Sequence, residues 1–122
     1  MAVRAVVVTA PDKPAHYAVR FASWTGLLNG DTGEALEEAS RADRSVQVEG
    51  IFGAGGNCRI EGRNPGQAEF RVLTDAKGNA LDIQAPGLYQ VTEIVSEMRQ
   101  RVTAGDGATD LTVSVTARGA RA

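Results

Sequence analysis

Ser45–Arg63, SVQVEGIFGAGGNCRIEGR, reads as two strands joined by a glycine-rich turn. Val46, Val48 and Phe52 fall on one side of the first strand, and Gln47 and Glu49 on the other. Cys58 and Ile60 share one side of the second strand, opposite Arg59, Glu61 and Arg63. Alternation with a period of two is what a sheet with one wet and one buried face requires. The connector, Gly53-Ala-Gly-Gly-Asn57, supplies residues suited to a tight turn. The stretch therefore points to an antiparallel β protein and away from enzyme folds built on parallel sheets.

Outward from this stretch the same grammar repeats. Towards the N-terminus, Tyr17–Leu28 reads as a strand, and Asn29-Gly-Asp-Thr-Gly33 as a turn. Glu34–Asp43 contains helix-forming residues but is too short to hold a helix alone, so it reads as a loop with one helical turn at most. Towards the C-terminus, strands are expected over Glu69–Thr74, around Leu81 and Ile83, and over Leu88–Ile94 and Met98–Thr103. Turns at Gly62–Gly66, Asp75–Asn79 and Ala104–Gly107 separate them. The last strand alternates most cleanly, with Leu111, Val113 and Val115 against Thr112, Ser114 and Thr116. About eight strands with turn signals every 8–12 residues or so predict a β-sandwich or barrel.

The chain has 122 residues, which suits one domain with a core of its own. Three parts are expected: an N-terminal arm over 1–16, a sandwich domain over 17–117 and a C-terminal tail over 118–122. In the arm, Val3, Ala5 and Val7 alternate with Arg4 before Pro11 and Pro14 forbid a central strand. The arm either edges its own sheet or reaches a neighbouring subunit. Thirteen Lys and Arg against fifteen Asp and Glu give a net charge of −2, with no basic stripe. Binding to nucleic acid through phosphates is therefore not expected. No apolar run approaches the roughly 20 residues of a membrane helix, and the Val run near the N-terminus is too short for a signal peptide.

The chemistry-bearing residues mostly favour plain structural roles. The single cysteine, Cys58, is expected as a small buried hydrophobe, which fits assembly in a reducing compartment. The one histidine, His16, lies in the Pro-flanked arm, too far in sequence to pair with it convincingly. Acids beside the turns, such as Asp31, Asp75 and Asp106, read as turn stabilisers rather than calcium ligands. Gly53–Gly56 lacks the Lys-Ser/Thr and following helix of a phosphate loop. No metal, cofactor or catalytic set is expected. Arg99 and Arg101 share one face of their strand, opposite Met98 and Val102; they read as a solvated face or as contacts to a partner. Trp24 reads as core or as an interface anchor.

The runs GLLNGDTGEAL, ADRSVQVEGIFGAGGNCRIEGRN, VLTDAKGNAL and VTEIVSEMRQRVTAGDGATDLTVSV resemble small virion proteins of tailed bacteriophages. The likeness spans roughly residues 20–116 and rests on the Phe52-Gly-Ala-Gly-Gly56 tip, the Ile-Glu-Gly strand, and the Leu-Thr-Asp and Gly-Asp-Gly turns. It implies a non-enzymatic capsid cement or decoration protein with a jelly-roll β-sandwich. Its implied partners are the major capsid protein lattice and further copies of itself, as a homodimer or homotrimer. Its implied location is the capsid exterior, after assembly in the host cytoplasm. The candidate interface residues are then Val3, Val6, Val8, Trp24, Phe52, Arg99 and Arg101, with Phe52–Asn57 as a plain turn or a small finger towards a neighbour. A head-fibre or tail-associated sandwich is an alternative. The Ile60-Glu-Gly62 strand also resembles discoidin-type modules, so a jelly-roll carbohydrate-binding module is another; Tyr17, Trp24 and Tyr89 would have to supply its aromatic platform.

Overall fold

The computed structural model describes residues 2–9, 19–37, 41 and 43–119. These residues form two sheets packed face to face, with no helix among them. One sheet runs β1 (Val3–Arg4), β4 (Thr32–Gly33), β10 (Glu97–Arg101), β6 (Cys58–Arg63) and β7 (Arg71–Val72), and β8 (Asp82–Ile83) also pairs with β6. The other runs β2 (Val7–Thr9), β3 (Val19–Leu27), β11 (Asp110–Arg118), β5 (Asp43–Ile51) and β9 (Gly87–Val91). β1 lies parallel to β4, and the remaining named pairings are antiparallel. The expected all-β sandwich is therefore what the chain forms. Short edge strands raise the count among the described residues to eleven.

The long strands follow from their side chains. β11 is exposed and buried by turns over its whole length. It sits between β3 and β5, so both its hydrogen-bonding edges are used. Its inner residues Leu111, Val113 and Val115 meet Trp24, Leu27, Val46 and Val48 in one core, together with Cys58, Ile60 and Met98 from the facing sheet. Burying each branched side chain contributes about 1.5–3 kcal/mol. Trp24 is 1% exposed, and its indole Nε1 donates to the Glu34 carbonyl at 2.9 Å, so its polar end is satisfied inside.

The decisive stretch is not a hairpin. β5 belongs to one sheet and β6 to the other, and the Gly-rich connector carries the chain across the sandwich. Alternation reports which face of a strand is buried, not which strand lies beside it. The connector is also no free finger. Phe52 is buried in the core, and its carbonyl accepts the Thr109 hydroxyl at 2.8 Å. The Asp106 carboxylate accepts the Ala54 amide at 2.8 Å. Buried Asn57 accepts from the Thr103 and Ala104 amides at 3.1 and 3.0 Å and donates to Asp82 at 2.8 Å. Gly53 holds a left-handed backbone at φ +76°, which a side chain would strain.

The described part of the arm is part of the sandwich. β1 edges one sheet and β2 the other, so residues 2–9 cross from sheet to sheet along one side. Buried Asp31 ties them down. Its carboxylate accepts the Ala2 amide at 3.0 Å, Arg4 Nε at 2.7 Å and the Leu28 amide at 2.9 Å. Burial alone would push the Asp31 carboxyl up, but these hydrogen bonds outweigh it and hold the group below the ordinary aspartate range. The Val6 amide donates to Glu34 Oε1 at 3.0 Å, and the Val6 side chain packs against the core. His16, Tyr17, Pro11 and Pro14 lie outside the described residues.

Candidate docking face

β6 and β10 pair with Arg63 opposite Glu97, Glu61 opposite Arg99, and Arg59 opposite Arg101. Their inward neighbours Ile60, Met98 and Gln100 are buried. The outward row thus concentrates four arginines and two glutamates on two adjacent strands. Those two strands carry two positive charges in excess, one of them offset by Asp82, which β8 places opposite Arg59, in a chain whose net charge is −2. Arg63 grips Glu97 with two hydrogen bonds, at 2.8 and 3.2 Å. The Arg63 bonds come first, and the Arg63 and Arg99 charges add to them, in holding the Glu97 carboxyl below the usual glutamate range. Arg99 Nε donates to Glu61 Oε1 at 3.2 Å. The Arg99 and Arg63 guanidinium carbons lie 3.8 and 4.2 Å from the Phe70 ring centroid, close enough for cation–π attraction.

Glu61 is the hub. Its side chain is 4% exposed although it points away from the core, because the arginines roof it over. Its Oε2 lies 3.8 Å from both Arg59 Nε and Arg101 Nε, beyond hydrogen-bond distance. With Glu61 buried and its arginine partners part-exposed, the cost of desolvating the carboxylate offsets much of the attraction in the intact pairs, although removing one partner leaves the others uncompensated. The row is therefore a weak source of stability for its size, and better suited to meeting another surface.

The outer face of the other sheet is built differently. Thr112, Ser114 and Thr116 run along its central β11. Ser114 lies between Ser23 and Gln47, and Thr116 between Phe21 and Ser45. Leu88 and Phe21 are exposed on its flanks. This face is rich in hydroxyls along its centre; its charges are Glu49, opposite Thr112, and the Arg118–Asp43 ion pair at one end.

The expected interface residues separate on this framework. Arg99 and Arg101 are on the charged face, beside Arg59, Glu61, Arg63 and Phe70, which the sequence had not singled out as a site. Period-two alternation placed Arg59, Glu61 and Arg63 on a wet face, but Glu61 meets Arg99 across 38 positions of sequence, a pairing no local pattern reveals. Val3 and Val8 are exposed on the edge strands, and Val6 is half-buried against the core. Trp24 and Phe52 need correction as contact residues: both are consumed by the core of their own chain. Trp24 is thereby lost to any aromatic platform, and Tyr89 packs partly against the core.

Other groups are occupied or shielded. Burial, with the Asp82 charge adding to it, pushes the Cys58 thiol up to about 12, so it is protonated and unreactive near neutral pH. The Glu93 carboxylate in the depression beyond Arg63 is taken by the Thr74 amide at 2.9 Å and the Thr74 hydroxyl at 2.7 Å. No group of three or more metal-ligating side chains is found among the described residues.

No family model matches the chain, and no curated protein matches it in sequence. Its fold is similar to that of the SPBc2 prophage-derived protein YomS, with a TM-score of 0.60 and 15% identity over 81% of this chain and 93% of that one. Weaker likenesses include an RmlC-like cupin protein from Desulfovibrio desulfuricans (TM-score 0.43, 12% identity, 93% of this chain, 81% of that one). Another is Peruvianin-I, a cysteine peptidase from Thevetia peruviana latex (TM-score 0.46, 12% identity, 93% and 61%). The last two scores are too low to carry an argument, and at 15% identity the first speaks to the fold.

Proposed function

We propose that this chain is a non-enzymatic structural protein of a bacteriophage virion that binds the outside of the assembled capsid, as cement or decoration. The observation that carries this reading is the likeness in fold to a prophage-derived protein over 93% of that protein's length. The resemblance of the turn and strand sequences to small virion proteins supports it. So does the site's form: its charged groups lie on an outer sheet face instead of converging in a cavity. The partners are the major capsid protein lattice and a homodimer or homotrimer of the chain itself. A subunit that binds only the assembled lattice stabilises it by mass action. Several weak contacts per oligomer add as avidity.

The test is DNA retention by heated capsids made with and without the protein. Capsids carrying it should hold their DNA to a higher temperature. Equal loss in both would reject the capsid role. Immunolabelling of intact particles separates the alternative: label on the tail or on a head fibre would move the same sandwich to that part of the virion.

A further inference from the structure

We propose that the Arg59–Arg101 pair is a carboxylate seat for an extended acidic segment of a partner protein. The inference rests on the virion reading only for whose protein that partner is.

The two arginines are directly opposed across β6 and β10. Like charges in that relation repel and destabilise a sheet unless something neutralises them. Among the described residues the one carboxylate within ion-pair distance of either is Glu61, which is already hydrogen-bonded to Arg99; Asp82, opposite Arg59 on β8, lies beyond that distance and accepts from Asn57 instead. One carboxylate thus serves three guanidinium groups. Arg59 Nε and Arg101 Nε are shielded from solvent and make no hydrogen bond. The two side chains nevertheless remain 33% and 41% exposed, so their forks are open to an incoming group. Beside Arg101 lies a shallow depression of about 310 Å³ lined by Gly30, Thr32, Val102 and Thr103; the Thr32 hydroxyl is next to the fork, and that of Thr103 donates to Asn57 Oδ1.

The chemistry of the seat selects its ligand. A guanidinium fork matches a planar carboxylate with two parallel hydrogen bonds. The face alternates arginine with glutamate, and Asp82 opposite Arg59 reduces its positive excess to one. Binding to a nucleic-acid backbone draws on neutralising many phosphates together, which this face does not provide. An acidic protein strand laid along the row finds unsatisfied guanidinium groups only at Arg59 and Arg101, because Glu61 and Glu97 already pair with Arg99 and Arg63, and this fixes its register.

The test is a nuclear magnetic resonance titration of the full chain at low salt, observing the arginine Nε–Hε signals. The probes are a hexaglutamate peptide and, separately, a hexathymidylate oligonucleotide. The peptide should shift the Arg59 and Arg101 signals. Arg101→Gln should weaken its binding about tenfold, and Arg101→Lys, which keeps the charge but loses the fork, by less. Arg118→Gln, on the other sheet, should leave binding unchanged. No shift with the peptide, equal affinity in Arg101→Gln, or tighter binding of the oligonucleotide would each overturn the proposal. The wild-type spectra decide the matter even if a variant fails to fold. A negative titration removes the seat and leaves the virion role standing; particles without the protein remove the role and leave the seat.

Discussion

The outer faces of the two sheets share a backbone pattern and differ in chemistry. β10 and β6 present Arg59, Glu61, Arg63, Glu97, Arg99 and Arg101. β11 presents Thr112, Ser114 and Thr116, with serine, glutamine, phenylalanine and one glutamate, Glu49, alongside. Inside, both sheets are apolar and packed into one core. The inner positions are constrained by burial and the outer ones are not. The outer residues are thus where function can be written without disturbing the fold. A row in which Glu61 is roofed by arginines is a stronger sign of function than a row of threonines, which any exposed strand accommodates.

The largest effect separates inside from outside on a single strand. Val113→Asp places an unpaired charge in the core and should cost about 4 kcal/mol or more, enough to unfold a domain of this size. Ser114→Asp, one residue on, should change stability by less than about 0.5 kcal/mol. Chemical denaturation measures both, and similar costs would mean that β11 is not buried on one face.

The next test breaks the charged face. Glu61→Gln leaves the arginines facing one another and should cost about 1–3 kcal/mol. Thr116→Val on the hydroxyl face should be nearly neutral. Equal effects would show that Glu61 is not the hub. A comparable loss, about 1–3 kcal/mol, is expected for Asp31→Asn, because its three hydrogen bonds, two of them from residues 2–9, weaken together. Amide hydrogen exchange at Ala2, Val6 and Leu28 should then speed up. Unchanged exchange would show that these residues are held by something else.

The smallest effect is on pH dependence. Asp31, Asp75, Glu93, Glu97 and Asp106 all have carboxyls held below their ordinary values. The folded protein then binds protons less readily than the unfolded chain. The stability these groups contribute is fully present above the ordinary carboxylate range, near pH 4, and is lost as pH falls through the lower folded values. The denaturant midpoint should therefore drop between about pH 5 and pH 2. Glu97→Gln should make the drop slightly shallower, whereas Thr112→Ser should not. A midpoint that rises on acidification would reverse the sign of the account.

How much of this was legible depends on how local the signal is. Leu111, Val113 and Val115 announced a half-buried strand, and Cys58 announced itself as core, because a side chain's face follows from its parity in the strand. Pairing does not follow from parity. Val46–Val48 and Cys58–Ile60 looked like two arms of a hairpin but lie in opposite sheets, since a Gly-rich connector can turn a chain back on its own sheet or carry it across a sandwich. The edge strand β1 pairs with a two-residue strand, too short to have a pattern. Arg99 was readable as outward-facing. Its partner Glu61 and the Phe70 ring under it were not, because both come from distant segments brought together only by register. The burial of Trp24 hung on a backbone carbonyl, that of Glu34, which no side-chain pattern reports.

A cryo-electron map of the parent phage particle tests the central claim most directly. The account predicts a two-sheet density on the capsid exterior, with the β6–β10 face turned towards an acidic surface of the capsid protein. A bare capsid exterior, or that face turned to solvent while another surface makes the contact, would contradict it.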